Sequence, residues 1–182
     1  KELEFFSFLK NMTEVKKEEK LDFQTVTDLN CKDLSEDLAI ELMLDNENYH
    51  IANIVGMSIS DKDNNYFIKK DNVITILNKI KDKNIITYDA KKIMCNTKVN
   101  INFVDDIMIM AYLLNLNIKD DLAYLANQDG NDFAYYENMK KNNFSNLETE
   151  LVKRSRYLFN KRSDYKNKLA SSESLNLYLN IE

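Results

Sequence analysis

Glycine and proline are nearly missing. There are two glycines, Gly56 and Gly130, and no proline in 182 residues. No GxGxxG or GxxxxGK phosphate loop can be written with two isolated glycines, so the nucleotide-binding classes built on one are excluded. Histidine is almost absent, with His50 alone, and the two cysteines, Cys31 and Cys95, lie far apart. Such a set builds neither a His/Cys metal centre nor a Ser-His-Asp triad. It also argues against a disulfide framework and suits a reducing compartment. Any metal chemistry here would therefore rest on carboxylates. Positive charge is in deficit as well: 25 Lys and Arg stand against 30 Asp and Glu, a formal charge of −5. A chain of that balance is not expected to grip nucleic acid strongly by itself. No apolar run approaches the roughly 20 residues of a membrane-spanning helix. No secretory leader is visible, so the chain reads as cytoplasmic. The first residue is Lys1 rather than Met, which suggests a piece of something longer.

What is present describes one globular domain: 44% hydrophobic and 30% charged residues, in a length that can bury a real core. Residues 1–20 begin amphipathic (Leu3, Phe5, Phe6, Phe8, Leu9) and end in the charge run KKEEK. They read as a short helix and a solvated linker. Strand-length apolar runs follow at 21–29, 38–44, 54–60 and 66–70, with DKDNN at 61–65 as turn chemistry. The period then switches. Asp71 is a plausible N-cap for a helix with Val73, Ile76, Leu77 and Ile80 at helical spacing. NIITYD at 84–89 reads as a buried β-branched strand. DDIMIMAYLLNL at 105–116 reads as a helix apolar on every face with acids at its positive end, and DDLAYLAN at 120–127 repeats the device. A long helix over 147–169 and an apolar-stripe segment at the C-terminus complete the chain. Strands first, then helices around one more strand, argue for an α/β domain, a mixed sheet covered by helices.

Four stretches together resemble one family, the 3′–5′ exonuclease-like domain of bacterial, family A DNA polymerase I. ENYHIANIVGMSIS at 47–60 is similar to its second strand region. IITYDAKKI at 85–93 is similar to its KYD segment, and DDIMIMAYLLNLN at 105–117 to its FDTMLAAYLLNP helix. SLNLYLNIE at 174–182 is similar to its lead-in to the polymerase domain. The resemblance implies an RNase H-like (DnaQ-like) fold. It divides the chain into a lead-in at 1–20, an exonuclease-like domain at 21–173, and a lead-in at 174–182 to a polymerase domain.

Active members of that family cleave a phosphodiester at a 3′ end with two divalent ions held by four carboxylates. These are an Asp-x-Glu pair on a strand, the KYD aspartate, and the aspartate of a Tyr-x-x-x-Asp stretch on a late helix. Counting back from Gly56 without gaps, the resemblance places the Asp-x-Glu pair on Glu41 and Met43, and the KYD aspartate on Asp89. The late helix puts Glu150 on the tyrosine and Arg154 on the last aspartate. Glu41 and Asp89 keep an oxygen. Met43 is a thioether of no use to Mg²⁺, and Arg154 is a cation where a ligand for a cation is needed. Asp45 and Glu47 form an alternative Asp-x-Glu pair just after the strand. The resemblance thus implies a vestigial exonuclease domain with no intact catalytic set, binding no metal and serving as a structural platform in DNA replication or repair synthesis. Its partner would be a covalently linked polymerase domain, which supplies the contact with DNA; the fragment itself is expected to be monomeric and to fold alone. One alternative is an active proofreading exonuclease using Mg²⁺ or Mn²⁺ on Asp45, Glu47, Asp89 and a further acid. The other is an RNase H-like nucleic-acid-binding module.

Each residue also carries a plainer reading. Asp89 can simply cap a helix, and Glu41 is either a leftover ligand or a surface acid. Met43, Met108 and Met110 read as core, and His50 as solvated. The basic run Lys153, Arg154, Arg156, Lys161 and Arg162 reads as a solvated helix face. A sharper expectation is that Arg154 or Arg156 replaces the missing dication by pairing with Asp89 or Glu41.

Overall fold

The computed structural model describes residues 21–172 and 174–180; the expected N-terminal helix and linker lie outside them. A six-stranded mixed sheet forms the centre. Its strands are β1 (Gln24–Val26), β2 (Asp37–Leu44), β3 (Ile54–Ser60), β4 (Asn65–Lys69), β5 (Asn84–Thr87) and β6 (Phe103–Asp106). The spatial order is β1-β4-β3-β2-β5-β6. β2, β3 and β4 form an antiparallel meander, and β1, β5 and β6 each pair in parallel with a neighbour. Among the described residues seven α-helices follow or interrupt the strands: α1 (Val73–Ile80), α2 (Ala90–Thr97), α3 (Ile107–Leu113), α4 (Leu122–Gln128), α5 (Tyr136–Lys141), α6 (Leu147–Ser171) and α7 (Leu175–Leu179). None of these helices is long and apolar enough to cross a membrane.

Side-chain alternation on β2 decides what each face of the sheet covers. Leu38, Ile40, Leu42 and Leu44 point to one face, where they join Ile76, Leu77 and Ile80 of α1 and Ile93 of α2 in the larger core. Ala39 and Met43 point to the other face, which α3, α4 and α6 cover. Glu41 shares that second face and is only 2% exposed. The long helix α6 lies across β2 and β3. It comes close because β3 offers it Gly56, Ser58 and Ser60. A Cβ on Gly56 would sit 3.1 Å from the Phe67 ring and 3.3 Å from Leu147 of α6. The Ser58 hydroxyl donates to the Leu151 carbonyl at 2.6 Å, and Ser60 and Ser155 share a hydroxyl bond of 2.8 Å.

The strands at 38–44, 54–60, 66–70 and 84–89 and the helices at 73–80, 120–127 and 147–169 sit where the sequence predicts, within a residue or two at their ends. Four expectations change. Asp71 lies in a 3-10 turn, Lys70–Asn72, and the residue before α1 is Asn72, which makes no side-chain cap. The stretch at 105–116 does not start as a helix, because Asp105 and Asp106 finish β6. The helix after them is not apolar-buried all round, since Tyr112 is 67% exposed. The basic run on α6 is not a solvated face. Arg154 is buried, Arg156 donates to the Asn65 side chain and the Asn64 carbonyl at 2.8 Å each, and Lys161 pairs with Asp129 at 2.8 Å. Arg162 bridges Asp37, at 2.6 Å, and the fully buried Asp105. Their partners come from loops and strand ends up to 125 residues away, which no helical wheel displays.

Candidate active-site cleft

The cleft opens where the chain leaves the ends of β2 and β5. β5 runs into Tyr88 and Asp89, and Asp89 takes a left-handed backbone (φ 64°, ψ 76°) before α2 begins. Aspartate tolerates that conformation better than most residues. Its carboxylate caps α2 by accepting from the Lys92 amide at 3.1 Å. The turn is clamped from below by Asp106, whose two oxygens accept from the Asp89 and Ala90 amides at 3.1 and 2.8 Å while also capping α3 through Met108 N. Burial pushes the Asp106 carboxyl above its ordinary range, against the pull of those three amides. The Asp106 amide in turn donates to the Tyr178 hydroxyl of α7 at 3.1 Å.

Glu41, Met43, Asp89 and Arg154, the four positions singled out by sequence, all line one cavity of about 320 Å³. The partners they take are not those expected. Lys92, one turn into α2, places its ammonium 3.1 Å from Glu41 Oε1. Arg154, 1% exposed, donates to Asp121 Oδ1 at 2.8 Å and to the Ala134 carbonyl at 2.7 Å. Asp121 also caps α4 through the Ala123 amide and accepts from the Tyr136 amide. Arg154 therefore does enter the cleft, but neither arginine pairs with Asp89 or Glu41, and Arg156 is turned toward Asn64 and Asn65. Burial raises the Glu41 carboxyl above its ordinary 4.5, and the charges of Lys92 and Arg154 pull it back only in part. Its second oxygen, Oε2, is buried without a partner, as are Arg154 Nε and the hydroxyl of Tyr136. Burial, then the nearby Glu47 and Asp45, lift the Tyr136 hydroxyl to about 12, so it stays protonated.

The alternative pair divides. Glu47 is exposed and lines the same cavity, whereas both oxygens of Asp45 are held by Asn53, at 2.8 Å from its amide and 3.0 Å from its side chain. Glu150, at the tyrosine position, accepts from the Ala134 amide at 3.0 Å and from Lys153. His50 is exposed against the Tyr49 ring, Met43 and Met110 are core, and Met108 is half-buried. Sequence reasoning missed Lys92 and saw Asp121 only as an acid at the positive end of a helix. The one available signal was the Lys91-Lys92 pair in the first turn after Asp89, of which one must face the strand carrying Glu41.

A metal pair of the kind the fold family uses does not fit these residues. Hard divalent ions need several oxygen ligands. Here Met43 supplies none, Glu41 is engaged by an ammonium and Asp121 by a guanidinium. Among the described residues no group of three or more His, Cys, Asp or Glu side chains is arranged to hold an ion.

Solved structures share the fold. The catalytic core of RRP6 from Trypanosoma brucei superposes with a TM-score of 0.64 at 11% identity, over 86% of this chain and 49% of that one. Brucella melitensis NrnC bound to pGG does so with a TM-score of 0.62 at 13% identity, over 86% of this chain and 85% of that one. The POL domain of Pol1 from M. smegmatis, in complex with DNA primer-template and dNTP, gives 0.56 at 14% identity over 77% of this chain and 25% of that one. This chain thus spans about half of the RRP6 core and a quarter of the Pol1 chain. An α/β domain of the ribonuclease H-like class follows once the sequence match is added to the shared fold. Residues 39–139, more than half of the sequence, match the family model of the DNA polymerase I ribonuclease H-like domain, and the chain belongs to that family. No curated protein matches it.

Proposed function

We propose that this is an exonuclease-like domain of the DNA polymerase I family whose site no longer performs metal-dependent cleavage, and that it works as a rigid platform for a linked polymerase domain in DNA replication or repair synthesis. One observation carries the reading. Two of the carboxylates in the cleft are paired with the protein's own cations, Lys92 on Glu41 and Arg154 on Asp121. A dication entering there would have to displace a half-buried ammonium or face a fixed, buried guanidinium, and each step costs Coulomb energy in a medium of reduced dielectric. Met43 removes a further ligand that no neighbour restores. DNA would be reached through the polymerase, consistent with the net charge of −5.

The test is incubation of the chain with 3′-labelled single-stranded DNA and Mn²⁺. The strand is expected to keep its length. Time-dependent shortening that disappears in Asp89→Ala would overturn the reading in favour of an active exonuclease.

A further inference from the structure

We propose that the cleft is a binding site for an aliphatic ammonium group, on a short alkyl diamine or on a lysine side chain. The inference deepens the reading above and rests on it, since it assigns a ligand to a site that has given up its metals. The first observation is Glu41 Oε2. Glu41 is 2% exposed on a central strand and lines the cavity, and Lys92 occupies only its other oxygen. A buried carboxylate oxygen without a donor is costly, and an N–H from a ligand is what it lacks.

Charge points to a cation. On the floor, Glu41, Asp89 and Asp121 face Lys92 and Arg154, which leaves one negative charge unmatched. Among the described residues that line its exposed rim, Glu47, Asp120 and Glu137 stand against Lys119, and Lys140 lies outside the lining, 6.0 Å from the Tyr136 ring centroid. Such a funnel raises the local concentration of small cations. The walls are tyrosine. Tyr124 and Tyr135 pack with centroids 4.8 Å apart, and the Lys119 ammonium lies 4.0 Å from the Tyr124 centroid, so this wall already accepts a group of the proposed kind. The Tyr136 hydroxyl, buried without a partner, offers a second acceptor. An ammonium needs only an acceptor and an aromatic face, not the oxygen cage of Mg²⁺. The volume of about 320 Å³ equals about ten waters of the liquid, enough for a short aliphatic chain.

The experiment is calorimetric titration of the chain at constant ionic strength. The probes are putrescine, Nα-acetyl-lysine amide, and tetramethylammonium, which carries the charge but no N–H. Mn²⁺ binding is followed in parallel by electron paramagnetic resonance. Saturable one-to-one binding of putrescine or of the lysine amide is expected, and which of the two binds tighter separates a free amine from a side chain. Glu41→Gln should weaken it by about tenfold, the usual cost of losing a charge-assisted hydrogen bond. Lys119→Met should strengthen it severalfold by removing the competing ammonium, and this variant decides the matter if Glu41→Gln does not fold. Absence of saturable heat, an equal response to tetramethylammonium, or binding indifferent to both substitutions would overturn the proposal. Amines inert while Mn²⁺ binds would overturn the platform reading as well; both inert would overturn this inference alone.

Discussion

Glu41 and Arg154 are charged side chains that the fold holds almost out of water, and the two are solved differently. Arg154 has two good acceptors, Asp121 and the Ala134 carbonyl. Removing one member of such a pair leaves the other poorly compensated, at about 3–5 kcal/mol in fully buried cases. Asp121 is 13% exposed in its side chain and keeps two amide donors, which moves the expectation to the low end. Arg154→Ala is thus expected to lose about 3 kcal/mol of stability in urea unfolding, and Arg154→Ala with Asp121→Asn distinctly less than the sum of the two single losses. Additive losses would show that the pair does not matter. Glu41 has one partner and one bare oxygen, and its folded-state carboxyl sits above the ordinary 4.5 because burial outweighs Lys92 and Arg154. The folded chain then holds a proton that the unfolded chain has released. Stability from this group is full below the ordinary value and is lost as pH rises from 4.5 through the raised value. Glu41→Gln should flatten that decline. An unchanged pH profile of the unfolding midpoint would show that Lys92 fully compensates the charge.

At the scale of elements, the approach of α6 to the sheet depends on small residues of β3. Gly56→Ala would put a methyl 3.1 Å from a Phe67 ring that is itself 3% exposed and has little room to turn. The expected cost is about 1–3 kcal/mol, the range for overpacking, read as a lower midpoint with an unchanged m-value. A neutral result would mean that Phe67 yields freely. The C-terminal helix α7 packs Tyr178 and Leu175 against the core and is held there in part by a hydroxyl: Tyr178 bonds the fully buried Asp105 at 3.2 Å and accepts from the Asp106 amide. Because the Asp106 carboxylate holds the Asp89 and Ala90 amides, Tyr178→Phe should loosen that turn as well as α7. Faster hydrogen exchange at Asp89 and Ala90 is expected. Protection unchanged there, with loss confined to α7, would separate the two elements.

At the scale of the whole molecule, both faces of the sheet are covered from within the chain, with α1 and α2 on one side and α3, α4 and α6 on the other. A core closed in this way should unfold as one unit without a partner. Far- and near-ultraviolet circular dichroism are expected to report the same thermal midpoint, with a monomer in sedimentation. Separate midpoints, or cooperativity that appears only when a polymerase domain is attached, would contradict this.

The strands and most helices were legible in sequence because their signals are local. Apolar runs of strand length over β2 and β3 and the 3,4-spacing of α1 arise between residues a few positions apart, and glycine and proline scarcely interrupt them. The cleft positions Glu41, Met43, Asp89 and Arg154 were legible for another reason, since order and spacing along the chain carried the family pattern. Weak local signals failed first. β6 is four residues long and runs straight into α3, and α2 carries so little apolar surface that only its cap was visible. What no local rule contains is which cation meets which acid. Lys92 on Glu41 spans 51 positions and Arg154 on Asp121 spans 33. Those pairings exist because the fold brings the C-terminal half of β2, the first turn of α2, the start of α4 and the N-terminal third of α6 to one point. The sequence by itself determined which residue type stands at each of these positions, because order and spacing are written along the chain; only the tertiary structure decided which charge stands against which, because that depends on contacts between distant segments.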